Sequence, residues 1–148
     1  MRCWRLKNGG NFRARLLGLH KIRDAYGSQI ASVVHLVAYF DFSNKKNPLC
    51  ESINVQGTRA LLRGLHAFEV GQFIYASSVL IHAPCRPGER IDETQPIALG
   101  WMYPKSKARA EEVLRQEHGK IPYVNLRLTG VYDTTSMLPT LARQMARI

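Results

Sequence analysis

Tyr103 and Lys107 stand four residues apart in the stretch "WMYPKSKARAEEVLRQEHG", residues 101–119, with Pro104 between them. If that stretch is helical, the two side chains are neighbours on one face, with Cβ atoms about 5–6 Å apart. A free phenol ionises near pH 10, about three pH units above neutrality, so it exchanges protons poorly there. An ammonium beside it would favour the phenolate and lower that value. Ser78 closes the apolar run "QFIYASS", residues 72–78, and its hydroxyl could hold a substrate oxygen against the phenol. Together the three side chains would form a proton-transfer unit for an alcohol/ketone pair. Taken singly, a Tyr-x-x-x-Lys or a Ser-Ser is more often structural. The case rests on their order and placement.

The elements that must position them can be read from periodicity. Phe12, Leu16, Leu19, Ile22 and Tyr26 recur at steps of three and four, which predicts an amphipathic helix over 12–26. "SVVHLVAY", residues 32–39, is β-branched and almost wholly apolar and reads as a strand buried on both faces. Asn47 and Pro48 supply a cap and a favoured first helical residue. Ile53, Gly57, Ala60, Leu61, Gly64, Leu65 and Phe68 then form one helical stripe ending before Gly71. A second buried strand covers 72–78, followed by a loop with three prolines over 82–100, the helix of Tyr103, a strand within 121–132 and a last helix over 136–148. Strands alternating with helices predict an α/β fold, a doubly wound parallel sheet with three clear strands and crossover helices. Ligands of such sheets bind beyond the carboxyl ends of the strands. Here those ends are Ala38-Tyr39, Ser77-Ser78 and Leu128-Thr129.

Composition sets the outer bounds. The 148 residues suffice for one domain with a core, and 45% hydrophobic residues argue against general disorder. The net charge of +10 is concentrated in residues 1–30, where Arg2, Arg5, Lys7, Arg13, Arg15, Lys21 and Arg23 face Asp24 alone. Without interleaved aromatics or a zinc-finger or RNP-like pattern, this reads as a solvated basic face. A specific nucleic-acid partner is not expected, and a basic nucleic-acid binder is the least favoured of three function classes. Cys3, Cys50 and Cys85 are odd in number and widely spaced, which suits a reducing, cytoplasmic setting. The longest apolar stretch, "IASVVHLVAYF", contains His35 and is too short to span a bilayer. Neither a signal peptide nor a membrane anchor is expected. The five histidines never reach ligand-like spacing with cysteines or acids, so no metal site is expected.

Five segments in order resemble the NAD-dependent epimerase/dehydratase family, the extended branch of the short-chain dehydrogenases/reductases. "VVHLVAYFDF" resembles its strand ending His-Leu-Ala-Ala, and "NVQGT" at 54–58 its Asn-Val-x-Gly-Thr helix segment. "FIYASSVLIHA" is similar to Phe-x-x-x-Ser-Ser-x-x-Val-Tyr-Gly, "YPKSK" to Tyr-x-x-x-Lys, and "LRLTGVYD" to Leu-Arg-Pro-x-x-Val-Tyr-Gly. The likeness covers residues 31–133. It implies a Rossmann-like NAD(P)-binding domain in which Ser78, Tyr103 and Lys107 are catalytic. Ser78 would bind the reacting oxygen and Tyr103 would exchange the hydroxyl proton. Lys107 would hold the nicotinamide ribose and depress the tyrosine pKa. Ala38, Tyr39, Asn54, Leu128 and Thr129, with Tyr103 and Lys107, would line or support NAD or NADP.

The departures from that pattern are informative. Val37, His82 and Leu128 replace an alanine, a tyrosine and a proline of the family motifs. Val79-Leu80 follows Ser78, where dehydratases of nucleotide-sugars carry Asp-Glu, so that dehydration is not expected. Only "NGG" at 8–10 stands in for the glycine-rich turn that cradles a pyrophosphate. The resemblance therefore implies a single partial domain over 1–148, with a divergent basic segment at 1–30, starting just upstream of the family's fourth strand and stopping before most of the specificity pocket. Its cofactor binding is expected to be weak, and the chain alone marginally stable or homodimeric. Its substrate would be a small molecule with a secondary alcohol or ketone, such as a sugar-nucleotide. A catalytically inactive remnant or interaction module of the same fold is the alternative.

Overall fold

The computed structural model describes residues 12–40 and 45–131. Helix α1 (Phe12–Tyr26) leads into β1 (Gln29–Ile30) and β2 (Val33–His35). A helical segment begins at Pro48, runs as a π-helical turn over Cys50–Gln56 and continues as α2 (Gly57–Leu65). Next come β3 (Glu69–Val70), β4 (Phe73–Ser78), a 3₁₀ turn (Val79–Ile81), α3 (Met102–Glu117) and β5 (Tyr123–Leu128). All pairings between these strands are parallel. β1 lies beside β3, and a three-stranded sheet runs in the order β2-β4-β5. This is the expected Rossmann-like α/β arrangement. The last helix expected over 136–148 lies outside the described residues, as do "NGG" at 8–10 and Tyr132.

The core forms where apolar periodicity from helix and strand meet. Phe73 and Tyr75 of β4 point into a cluster with Val55, Leu62 and Leu65 from the π turn and α2. Ala110, Val113 and Leu114 from α3 and Ile121 complete it. Asn47 caps the helical start as expected, its Oδ1 accepting from the Leu49 N–H at 3.0 Å. Helix α3 starts from Trp101, which is extended, and carries Pro104 in its first turn, where the missing N–H costs nothing. It closes at Gly119, whose φ of 63° only glycine adopts without strain. At Gly71 an added Cβ would sit 2.7 Å from the Ala31 carbonyl oxygen. That close approach lets the β1–β3 ladder hand over to β2–β4.

Three expectations need correction. The strand expected over 32–39 pairs only at Val33, Val34 and His35, because the chain then leaves the sheet for a side-chain clasp described below. Nor is the sheet buried on both faces. Val34, Val124, Leu126 and Leu128 are between 37% and 56% exposed, while Val33 and Tyr123 on the opposite face pack against the core. The stripe from Ile53 to Phe68 is not one α-helix to Gly71. The π turn adds a residue to the helical repeat, the α-helix ends at Leu65, and Glu69–Val70 is a strand. Between Ile53 and Phe68 the buried positions are accordingly Asn54, Val55, Gly57, Thr58, Leu62 and Leu65.

Candidate active site

Ser78 is the last residue of β4, in register with Leu128 at the end of β5. Its extended backbone starts the 3₁₀ turn, and its Oγ accepts from the Leu80 N–H at 3.2 Å. The same side chain lies close enough to the Tyr103 phenol to favour its ionised form. Tyr103 enters from the first turn of α3, is 9% exposed, and meets Phe40 edge-on with ring centroids 4.6 Å apart. Burial pushes its pKa up; the nearby Ser78 hydroxyl pulls the other way, and the Cys50 thiol adds a smaller upward push.

Lys107 lies one turn further along α3 and is 2% exposed. Its Nζ donates to the Ala76 carbonyl oxygen at 2.6 Å and lies 4.7 Å from the Tyr75 ring centroid and 5.9 Å from that of Tyr103. Burial lowers its pKa to about 8, against the pull of the Glu111 carboxylate. The net shift at the phenol is upward, not the downward one that a neighbouring ammonium alone would give. Loss of solvent dominates at the phenol, and the ammonium is bonded to a backbone carbonyl, with its own positive form disfavoured.

The cofactor-side candidates fall into two groups. Ala38, Leu128 and Thr129 are exposed at the carboxyl edge of the sheet. Asn54 is fully buried, and its amide is committed within the protein. Oδ1 accepts from the Tyr39 N–H at 2.7 Å, while Nδ2 donates to the Tyr39 carbonyl at 2.9 Å and to Ser106 Oγ at 2.8 Å. Ser106 Oγ in turn donates to the Tyr103 carbonyl at 2.7 Å. One amide thereby joins the segment after β2, the π turn and the start of α3. Any influence of Asn54 on a dinucleotide passes through Tyr39 and its neighbours. Tyr39 is further fixed by Asn47, whose Nδ2 donates to the phenol oxygen at 2.9 Å.

Several supporting residues escape sequence reasoning. Thr58 Oγ1 donates to the Asn54 carbonyl at 2.7 Å and lies 3.0 Å from His35 Nε2. With the hydroxyl proton so committed, His35 must donate from Nε2 and is neutral. Burial, with the Lys107 charge second, holds its pKa down at about 4. Thr58 also approaches the Tyr75 phenol, yet that buried oxygen has no hydrogen-bond partner; Thr58 has already spent its proton elsewhere. Next to this set, Arg127 forks onto Glu111 at 3.1 and 2.8 Å and donates to His82 Nε2 at 3.1 Å. Arginine can only donate, so His82 carries its proton on Nδ1, facing the Gln95 carbonyl at 2.8 Å. Spacing did hold a signal here: Tyr103, Lys107 and Glu111 form an i, i+4, i+8 stripe.

Among the described residues no three His, Cys, Asp or Glu side chains gather to hold a metal. No helix among them is long and apolar enough to cross a membrane. A concavity of about 530 Å³ lined by His66, Phe68, Val70 and Ile121 lies elsewhere and contains none of the site side chains.

Parallel strands, a strand-end serine beside a helix-borne phenol, and a lysine one turn on define the class: a Rossmann-like protein of short-chain dehydrogenase/reductase type. The sequence comparison narrows it. Residues 4–147 match the NAD dependent epimerase/dehydratase family, and the chain belongs to that family. Among solved structures, it resembles UDP-glucuronic acid 4-epimerase from Bacillus cereus in complex with NAD, at 26% identity and a TM-score of 0.61 over 79% of this chain and 37% of that one. It also resembles RMD from Pseudomonas aeruginosa complexed with NADPH, at 25% identity and a TM-score of 0.66 over 89% and 49%. A short-chain dehydrogenase/reductase superfamily protein from Agrobacterium tumefaciens with bound NAD shares 29% identity, with a TM-score of 0.58 over 73% and 34%. The chain spans less than half the length of each of these structures.

Proposed function

We propose that this chain carries the proton-transfer centre of an NAD(P)-dependent oxidoreductase or epimerase acting at a secondary alcohol or ketone of a sugar-nucleotide or similar small molecule. The observation that supports this most is the approach of the Tyr103 phenol to Ser78 at the carboxyl edge of a parallel sheet, with Lys107 buried one helical turn away. Ser78 holds the reacting oxygen, and Tyr103 gives or takes the hydroxyl proton. Lys107 provides the cation. The nicotinamide, when bound, supplies or accepts the hydride.

The donor set suits the nicotinamide-ribose end of the cofactor: a phenol, a hydroxyl and an ammonium converge where the strands end. The Lys107 ammonium spends one of its three N–H donors on the Ala76 carbonyl, which leaves two for a ribose. No glycine-rich turn of the Gly-x-x-Gly-x-x-Gly type occurs in the sequence to hold the pyrophosphate. Charge-assisted hydrogen bonds contribute about 1.5–3 kcal/mol each, so missing several weakens binding by orders of magnitude.

Two measurements test the reading. Isothermal titration with NAD(H) and NADP(H) is expected to give binding weaker than micromolar, and micromolar affinity would refute the weak-cofactor claim. With a UDP-sugar and cofactor in excess, Tyr103→Phe is expected to cost about 10²–10⁴-fold in turnover. Unchanged turnover in that variant removes Tyr103 from the chemistry. Absence of turnover in the parent chain, at cofactor concentrations that saturate it, favours the inactive-remnant alternative.

A further inference from the structure

Phe40 has no place in the proton-transfer scheme, and no spacing rule links it to Tyr103, sixty-three positions away in the sequence. Yet its ring stands perpendicular to the catalytic phenol ring, at 87° and 4.6 Å between centroids. This is the favoured edge-to-face geometry of aromatic pairs. Phe40 is 43% exposed while Tyr103 is 9% exposed. One ring therefore faces solvent on its outer side and covers the other on its inner side. Nor is Phe40 loosely tethered: the residue before it has its backbone N–H and carbonyl both clasped by the Asn54 amide.

We infer that Phe40 is a positioning residue for the proposed reaction, an aromatic screen that keeps water from the Tyr103 phenol and holds that ring toward Ser78. The groups facing the phenol come from three other directions. Ser78 and Tyr75 lie on β4, Cys50 on the π turn and Lys107 on α3 itself. None of them stands where Phe40 stands, on the segment leaving β2. Exclusion of water is the leading cause of the raised phenol pKa, and Phe40 is a half-exposed part of the wall that maintains it. The chemical consequence is a lip of aromatic character beside the reacting hydroxyl. It suits a substrate that presents a C–H face there, rather than a charged group. That consequence rests on the function proposed above, whereas the screening does not.

The test uses the full chain without substrate. Tetranitromethane nitrates accessible tyrosines near neutral pH, and mass spectrometry locates the product. In Phe40→Ala, nitration of Tyr103 is expected to accelerate several-fold, with exposed Tyr26 unchanged as internal reference. With ¹³Cζ-labelled tyrosine, the Tyr103 titration midpoint is expected to fall toward the ordinary value of about 10. Phe40→Trp restores the slow nitration and the high midpoint. If Phe40→Ala unfolds, as reaction at buried Tyr75 would reveal, Phe40→Leu carries the same test with an intermediate effect. Equal nitration rates and equal midpoints in parent and variant overturn the inference. Tyr103→Phe without loss of turnover would reject the proposed function and leave the screening result untouched.

Discussion

Lys107 sits in an environment that its residue type disfavours. An ammonium at 2% exposure forfeits most of its hydration, and a carbonyl and a ring face recover only part of it. Its folded pKa of about 8 lies below the ordinary 10.5. Between those two pH values the unfolded chain holds a proton that the folded chain has lost. Stability therefore rises with pH through that window, and the full burial penalty applies below about pH 8. Lys107→Met is expected to lack this rise, a difference of roughly 3 kcal/mol across the window in urea unfolding. Parallel pH profiles for parent and variant would show that the lysine is better hydrated than its position implies. The sign of the tyrosine shift was not legible in the sequence for a related reason. Spacing brings Lys107 to Tyr103, but nothing in the spacing brings Phe40 against its ring or buries the phenol.

At the scale of elements, the Asn54 clasp is the joint on which the site depends. It links the segment after β2, the π turn and the start of α3 through a single side chain. Asn54→Ala leaves the Tyr39 backbone and Ser106 short of partners. Each buried group left unpaired costs about 1–3 kcal/mol, so a loss of about 2–4 kcal/mol in unfolding free energy is expected. Asn54→Asp, which keeps the acceptor and loses the donors, is expected to fall between parent and Ala. Equal stability of parent and Ala would mean that water takes over these bonds. The motif "NVQGT" marked Asn54 as noteworthy, and the Tyr103 helix was readable almost to its ends. The π turn was not, because one extra residue in a helical repeat leaves no compositional trace. The apolar stripe around it still looks like an ordinary α-helix. The short reach of β2 was likewise hidden: "SVVHLVAY" is almost wholly apolar, and only a side chain from another element pulls Tyr39 out of the ladder.

For the whole molecule, the parallel order of β2, β4 and β5 was legible from alternating strand and helix signals, while the state of the two sheet faces was not. Apolar side chains at Val34, Val124, Leu126 and Leu128 satisfy the pattern of a strand covered on both sides. Sequence pattern records what a face is suited to meet, not whether a layer lies over it. The unequal lengths of the pairings carry a further consequence. β4 and β5 are matched over six residues, β2 and β4 over three, and β1 and β3 over two. In deuterated buffer the amides of Tyr75, Ser77 and Leu126, which face the β4–β5 pairing, should accordingly be the last to exchange, opening only with the whole domain. Those of β1 and β3 should exchange early, through local fraying. A uniform exchange rate across the strands would mean that the sheet opens as one cooperative unit, so that a disturbance at the β1 edge is felt at Ser78.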